Sequence, residues 1–134
     1  MPNPRFINPI GLAPPPGYTH VVEVLGPGRT IYIAGQLGLG RDGKLVGVPG
    51  DFRAQAVQAF ENLGAALAAA GAGFEHIVKV NNYLVDMSHL PTLRAVRDSY
   101  FTKGNPPAST TVAISALARD GALYEIDAVA VLPD

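Results

Sequence analysis

Between Phe52 and Ala70 the apolar side chains return every three or four positions, at Phe52, Ala56, Phe60, Leu63, Leu67 and Ala70. That spacing lays them along one stripe of an amphipathic helix. Arg53, Gln55, Gln58 and Glu61 fall on the other side. Asp51 stands where a helix wants a side-chain cap, and Gly71 and Gly73 close the run, as C-terminal glycines do. A second helix is predicted from His89 to Lys103, capped by Ser88 and stopped by Gly104. Pro91 fits its first turn, and Leu90, Leu93, Tyr100 and Phe101 form its buried side.

Elsewhere the period is two. Arg29 to Gly35 sets Ile31 and Ile33 against Thr30, Tyr32 and Ala34. Ile77 to Val85 sets Val78, Val80 and Leu84 against Lys79, Asn81 and Tyr83. Alternation of this kind splits a strand into two faces. His20 to Leu25, Ser109 to Leu117 and Ala122 to Leu132 complete the predicted strands after a short extended piece, Arg5 to Asn8. Gly26-Pro27-Gly28 turns the His20 strand into its neighbour, and Asp120-Gly121 joins the last two. Asp42-Gly43 makes a tight turn before the short Lys44 to Val48 segment. Pro14, Pro15 and Pro16 hold the early loop extended, and Asn105-Pro106-Pro107 forces another turn. The order predicts an α+β fold, a mixed β-sheet with two helices packed on one face. With 134 residues and no repeat or linker, it predicts a single domain, 1–134.

Composition narrows the functional classes. A net charge of -1, with basic residues scattered, supplies no field for nucleic acid. No run approaches the roughly 20 apolar residues that span a bilayer, and MPNPRFINP lacks the basic flank and apolar stretch of a signal peptide. A cytoplasmic protein with no membrane partner is expected. Zero cysteines exclude disulfides, thiolate metal sites and a cysteine nucleophile. His20, His76 and His89 share no ligand spacing, so no metal is expected. Charged residues are only 16% against 48% hydrophobic, which points to apolar surface covered by a second copy.

Glu125 and Asp127 are two apart on a predicted strand and share a face with Leu123 and Val129. Paired acids on an apolar face cost desolvation unless a cation or a cavity receives them. Either the face is solvent-exposed, or Arg119, Lys79 or another cation pairs with them, or one acts as a general acid/base that positions a water. Ser109, Thr110 and Thr111 follow the proline turn and offer hydroxyls to a small polar ligand, unless they serve β-propensity alone. Arg94 and Arg97, three apart on the second helix, are either solvated or a carboxylate clamp.

Ile33-Ala34-Gly35-Gln36, Gln58 to Asn62, Ala69-Ala70-Gly71, Val78-Lys79-Val80 and Tyr83-Leu84-Val85-Asp86-Met87 occur in sequence order. Pro107-Ala108 and Glu125-Ile126-Asp127-Ala128-Val129-Ala130 follow them. In order and spacing this chain resembles the RidA (YjgF) family of reactive intermediate deaminases over nearly its whole length. The resemblance implies a chorismate-mutase-like fold, a homotrimer with ligand clefts between subunits, and no metal or organic cofactor. It implies hydrolysis of small enamines and imines such as 2-aminoacrylate to the 2-oxo acid and ammonia. It places the water-positioning acid on Asp127, one methylene shorter than the family glutamate, and ligand contacts on Tyr18 and Gly35.

The pattern also departs. The family's clamp arginine falls on Ser109, its neighbouring cysteine on Thr111, the serine before Gly-Gln on Ala34, and the second-helix asparagine on Arg94. These mark a divergent subgroup. A serine lacks the two parallel charge-assisted bonds of a guanidinium. Either Arg94 supplies the charge from another direction, or the ligand has no carboxylate. Three readings follow. The first is a cofactor-free hydrolase or deaminase of a small imine, enamine or related C–N compound, with Asp127 catalytic and Tyr18, Gly35, Arg94, Ser109 and Thr111 holding the ligand. The second is a non-catalytic, regulatory trimer that binds a small metabolite. An endoribonuclease or translation inhibitor comes third, opposed by a pI near 6.3.

Overall fold

The computed structural model describes residues 3–133, so Met1, Pro2 and Asp134 of the expected 1–134 domain lie outside the described residues. Six strands and two helices follow one another as β1 (Arg5–Ile7), β2 (Val21–Glu23), β3 (Gly28–Leu37), α1 (Phe52–Ala69), β4 (Ile77–Leu84), α2 (Leu90–Tyr100), β5 (Ala108–Ala113) and β6 (Tyr124–Pro133). Four strands form one mixed sheet in the order β3-β6-β4-β5. β6 pairs antiparallel with both β3 and β4, whereas β4 and β5 run parallel. A parallel pair needs a crossover, and α2 supplies it. This is the expected α+β arrangement of a mixed sheet with two helices.

α1 begins where Asp51 accepts a hydrogen bond from the Ala54 amide at 3.0 Å. It ends where Gly71 turns to φ +78°, a conformation that favours glycine. Phe52, Ala56, Phe60, Leu63 and Leu67 are buried as the periodicity requires. They meet Ile33, Val80, Tyr124, Ile126, Ala128 and Ala130 from the sheet and Leu93 and Val96 from α2 in one core. Phe60 stacks on Tyr100 and Tyr124, with centroids 4.9 and 6.1 Å away. The Tyr100 hydroxyl reaches across to donate to Glu61 Oε2 at 2.7 Å.

Several expectations need correction. The His20 to Leu25 strand shortens to β2 and forms no hairpin with β3. It pairs with β1 in a separate two-stranded sheet, closed by an Arg5–Glu23 ion pair of 2.8 Å. β3 takes β6 instead, a ten-residue partner that β2 cannot match in length. Lys44 to Val48 contributes only a single bridge, Leu39 to Leu45. The second helix is shorter at both ends. Asp86, not Ser88, caps its approach by accepting from the Ser88 amide at 2.9 Å, and Met87–His89 form a 3₁₀ turn. The helix also stops at Tyr100, before Gly104. The Ser109 strand ends at Ala113.

Gln55, expected on the polar side of α1, is 1% exposed. Its amide donates to the Gly121 carbonyl at 3.1 Å and accepts from the Leu123 amide at 2.8 Å. Two backbone groups just before β6 are thereby satisfied, which removes the cost of burying the side chain. No helix among the described residues is long and apolar enough to cross a membrane.

Candidate functional site

Strand register sorts the candidate residues onto two faces of the sheet. Asn82 and Ser109, Thr111 look toward the helices. Asn81, Tyr83, Glu125 and Asp127 occupy the opposite face, because neighbouring residues in a strand alternate.

On the helix side, a cavity of about 260 Å³ opens between α2 and the β4–β5 edge. Ser109, Thr111 and Asn82 form its sheet wall, and Arg94 and Arg97 line it from α2. Val80, Phe60, Leu93, Phe101 and Ile126 make the remainder largely apolar. Tyr18 and Gly17 approach from the early loop. That loop is fastened by Thr19, whose amide donates to the Pro107 carbonyl at 3.1 Å and whose hydroxyl donates to the Pro106 carbonyl. The two proline segments thus lock together and deliver Tyr18.

Gly17 lies directly on Arg97; a Cβ there would sit 2.8 Å from its Nη2. Arg97 also donates through Nε and Nη2 to Asp98 Oδ1, at 3.1 and 3.0 Å. Arg94 is exposed and makes no hydrogen bond or ion pair among the described residues. Among the described residues no acidic side chain lines the cavity. The combination of guanidinium groups, hydroxyls and apolar walls suits a small ligand with an anionic head.

On the other face, Asp127 accepts from Asn81 Nδ2 at 2.8 Å and from the Tyr83 hydroxyl at 3.0 Å. This bond to Asp127, with burial and the two nearby acids, raises the pKa of Tyr83. Glu125 is pushed up chiefly by burial and then by the charge of Asp127. Neither cation considered for these acids pairs with them. Lys79 donates to Thr110 Oγ1 at 2.8 Å, and Arg119 donates to the Gly43 carbonyl.

The β3–β6 ladder slips beside them. Ile33 pairs with Ala128 and Gln36 with Ile126, so Ala34 and Gly35 together oppose Asp127. Such a bulge commonly re-aims groups next to a site. A Cβ on Gly35 would lie 2.5 Å from Glu125 Cδ, so glycine makes room for that carboxyl.

Of the six predicted site residues, one chain gathers Tyr18, Arg94, Ser109 and Thr111 at the cavity. Gly35 and Asp127 stand across the sheet. Asn82 and Tyr83 were missed, whereas Arg97, read with Arg94 as a solvated pair or a carboxylate clamp, lines the cavity beside it. Asn82 had a legible signal, because it shares parity with Val80 and Leu84 on an otherwise apolar face. The histidines do not converge: His20 Nε2 contacts the Ala13 carbonyl at 2.7 Å, His76 Nδ1 accepts from the Gly73 amide, and His89 stacks on Phe52.

The Endoribonuclease L-PSP family matches residues 11–132. The 2-iminobutanoate/2-iminopropanoate deaminase of Mus musculus is 42% identical over 115 residues, covering 85% of this chain and 80% of the deaminase. Protein DfrA of Myxococcus xanthus is 41% identical over 114 residues, covering 85% and 84%. Among solved structures, YyfB of Yersinia pestis, a Rid-family protein of unknown function, is similar with a TM-score of 0.88. That alignment is 36% identical and covers 97% of this chain and 99% of YyfB.

Proposed function

This chain belongs to the Endoribonuclease L-PSP family, the RidA/YjgF proteins, and from that premise we propose that it is a cofactor-free hydrolase that deaminates a small reactive imine or enamine. The observation that carries the reading is the cavity beside α2, where two arginines and the hydroxyls of Ser109 and Thr111 share apolar walls with no acid among the described residues. An imino acid has the matching parts, a carboxylate and a short carbon tail.

Asp127 is the water-positioning acid. Asn81 and Tyr83 hold its two oxygens, and a carboxylate so held retains lone pairs for a water. Water attacks the imine carbon; the C–O bond forms as the π pair moves to nitrogen. Asp127 accepts the water's proton and returns it to nitrogen. A second proton passes from the carbinolamine hydroxyl to nitrogen, again through Asp127, as the carbonyl forms, the C–N bond breaks and ammonia leaves. An enamine enters the same path after protonation at carbon. Positioning and one proton shuttle suffice for so reactive a substrate.

Because Asp127 and the cavity lie on opposite faces of one sheet, the complete cleft needs two chains. We propose a homotrimer of chorismate-mutase-like fold, each subunit presenting Asp127 and Gly35 to its neighbour's cavity. Tyr32, 80% exposed on the Asp127 side of the sheet, and the exposed Val112 support burial of that face against another copy.

The test is imine hydrolysis by the parent and by Asp127→Asn, each against the buffer rate. Asparagine keeps the shape and loses the proton acceptor, so kcat/KM falls by about a hundredfold or more. Equal rates would remove Asp127 from the chemistry. A folded parent no faster than buffer would leave the second reading, a metabolite-binding trimer, which the neutral Ser109 at the clamp position favours. Ribonuclease activity is opposed by the net charge of -1.

A further inference from the structure

Asn82 is 7% exposed and touches three hydroxyl groups. It accepts from the Tyr124 hydroxyl at 2.5 Å, and its Nδ2 lies 3.4 Å from Ser109 Oγ and 3.3 Å from Thr111 Oγ1. The tyrosine decides which way round the amide lies. A phenol has one hydrogen to donate, and Tyr124, fully buried, has Asn82 Oδ1 as its only hydrogen-bond partner among the described residues. Burial also holds its pKa well above the ordinary value, so that hydrogen stays in place. The amide oxygen must therefore face Tyr124, and the NH₂ group must face β5.

That orientation sets the polarity of the next pair. An NH₂ group has two hydrogens, one for each hydroxyl oxygen. Ser109 and Thr111 are then acceptors toward the protein, and among the described residues neither passes its own hydrogen to a protein acceptor. Both hydrogens remain for the cavity that these residues line.

We infer that Tyr124 and Asn82 form a relay that commits Ser109 and Thr111 to donate into the cavity, making this wall, opposite Arg94 and Arg97, the receptor for a ligand carboxylate. The inference rests on the reading of this cavity as the ligand site. Asn82 and Tyr124 are positioning residues, since both act through the hydroxyls. Two donors fixed before binding, with guanidinium groups facing them, replace a single clamp by a divided one. Preorganised donors favour an acceptor-only head over one that both donates and accepts.

The experiment compares 2-oxobutanoate with its uncharged counterpart, 2-oxobutanamide, in titrations of the intact protein followed by NMR. Tyr124→Phe frees the amide to turn, so 2-oxobutanoate binding weakens about tenfold while 2-oxobutanamide binding changes little. In a Ser109→Ala/Thr111→Ala background, adding Tyr124→Phe weakens 2-oxobutanoate no further, because the relay has nothing left to orient. Should phenylalanine unfold the core, Asn82→Ser decides instead: it removes the fixed NH₂ group without adding charge, and 2-oxobutanoate binding weakens about tenfold while 2-oxobutanamide binding changes little.

Equal weakening of both probes, additive losses, or no binding of 2-oxobutanoate to the parent would overturn the relay. Coupled binding without imine turnover keeps the relay and removes the deaminase reading. Turnover without coupling does the reverse.

Discussion

Among the described carboxylates, Glu125 is the one whose pKa burial raises. Its carboxyl lies over Gly35 on the same face as Asp127, and burial raises its pKa before its neighbour's charge adds to the effect. The folded chain therefore binds this proton more tightly than the unfolded chain. Its contribution to stability is greatest below the ordinary value of 4.5 and is lost as pH rises through the raised folded value. Glu125→Gln keeps the shape over Gly35 without the charge. Thermal melts across pH 4 to 8 should show its Tm exceeding the parent's by a few degrees at pH 7, with the gap closing toward pH 4. A gap independent of pH would show that packing, not ionisation, is responsible.

Among the elements, α1 was the most legible, because its stripe, cap and terminal glycine agree. Asp51→Ala removes the acceptor for the Ala54 amide and should cost about 1 kcal/mol in denaturant unfolding. Where local signals were weaker, tertiary partners decided. Ser88 and Asp86 are both competent caps, and only the backbone path before α2 selects Asp86. Gln55 reads as a surface residue until Gly121 and Leu123 come within reach of its amide, some 66 residues along the chain. The same limit applied to the site. Period two placed Glu125 and Asp127 together, but the Ala34–Gly35 bulge opposite them is a property of register and leaves no periodic trace. Asn82 was readable by parity alone; its partner Tyr124 was not, since their contact spans 42 positions.

For the whole molecule, the proposed homotrimer rests on low charge, on exposed Tyr32 and Val112, and on the separation of Asp127 from the cavity. A single sheet carries Asp127 on one face and the hydroxyls of Ser109 and Thr111 on the other. The proposed two-chain cleft is therefore divisible by genetics. A chain damaged only at Asp127 still has a sound cavity, and one damaged only at Ser109 and Thr111 still has a sound acid. Unfolded together, refolded together and tested against each pure variant, two dead proteins should complement. With random mixing, about one cleft in four draws its acid and its cavity from undamaged halves. Activity would return in a mixture whose every member is a mutant.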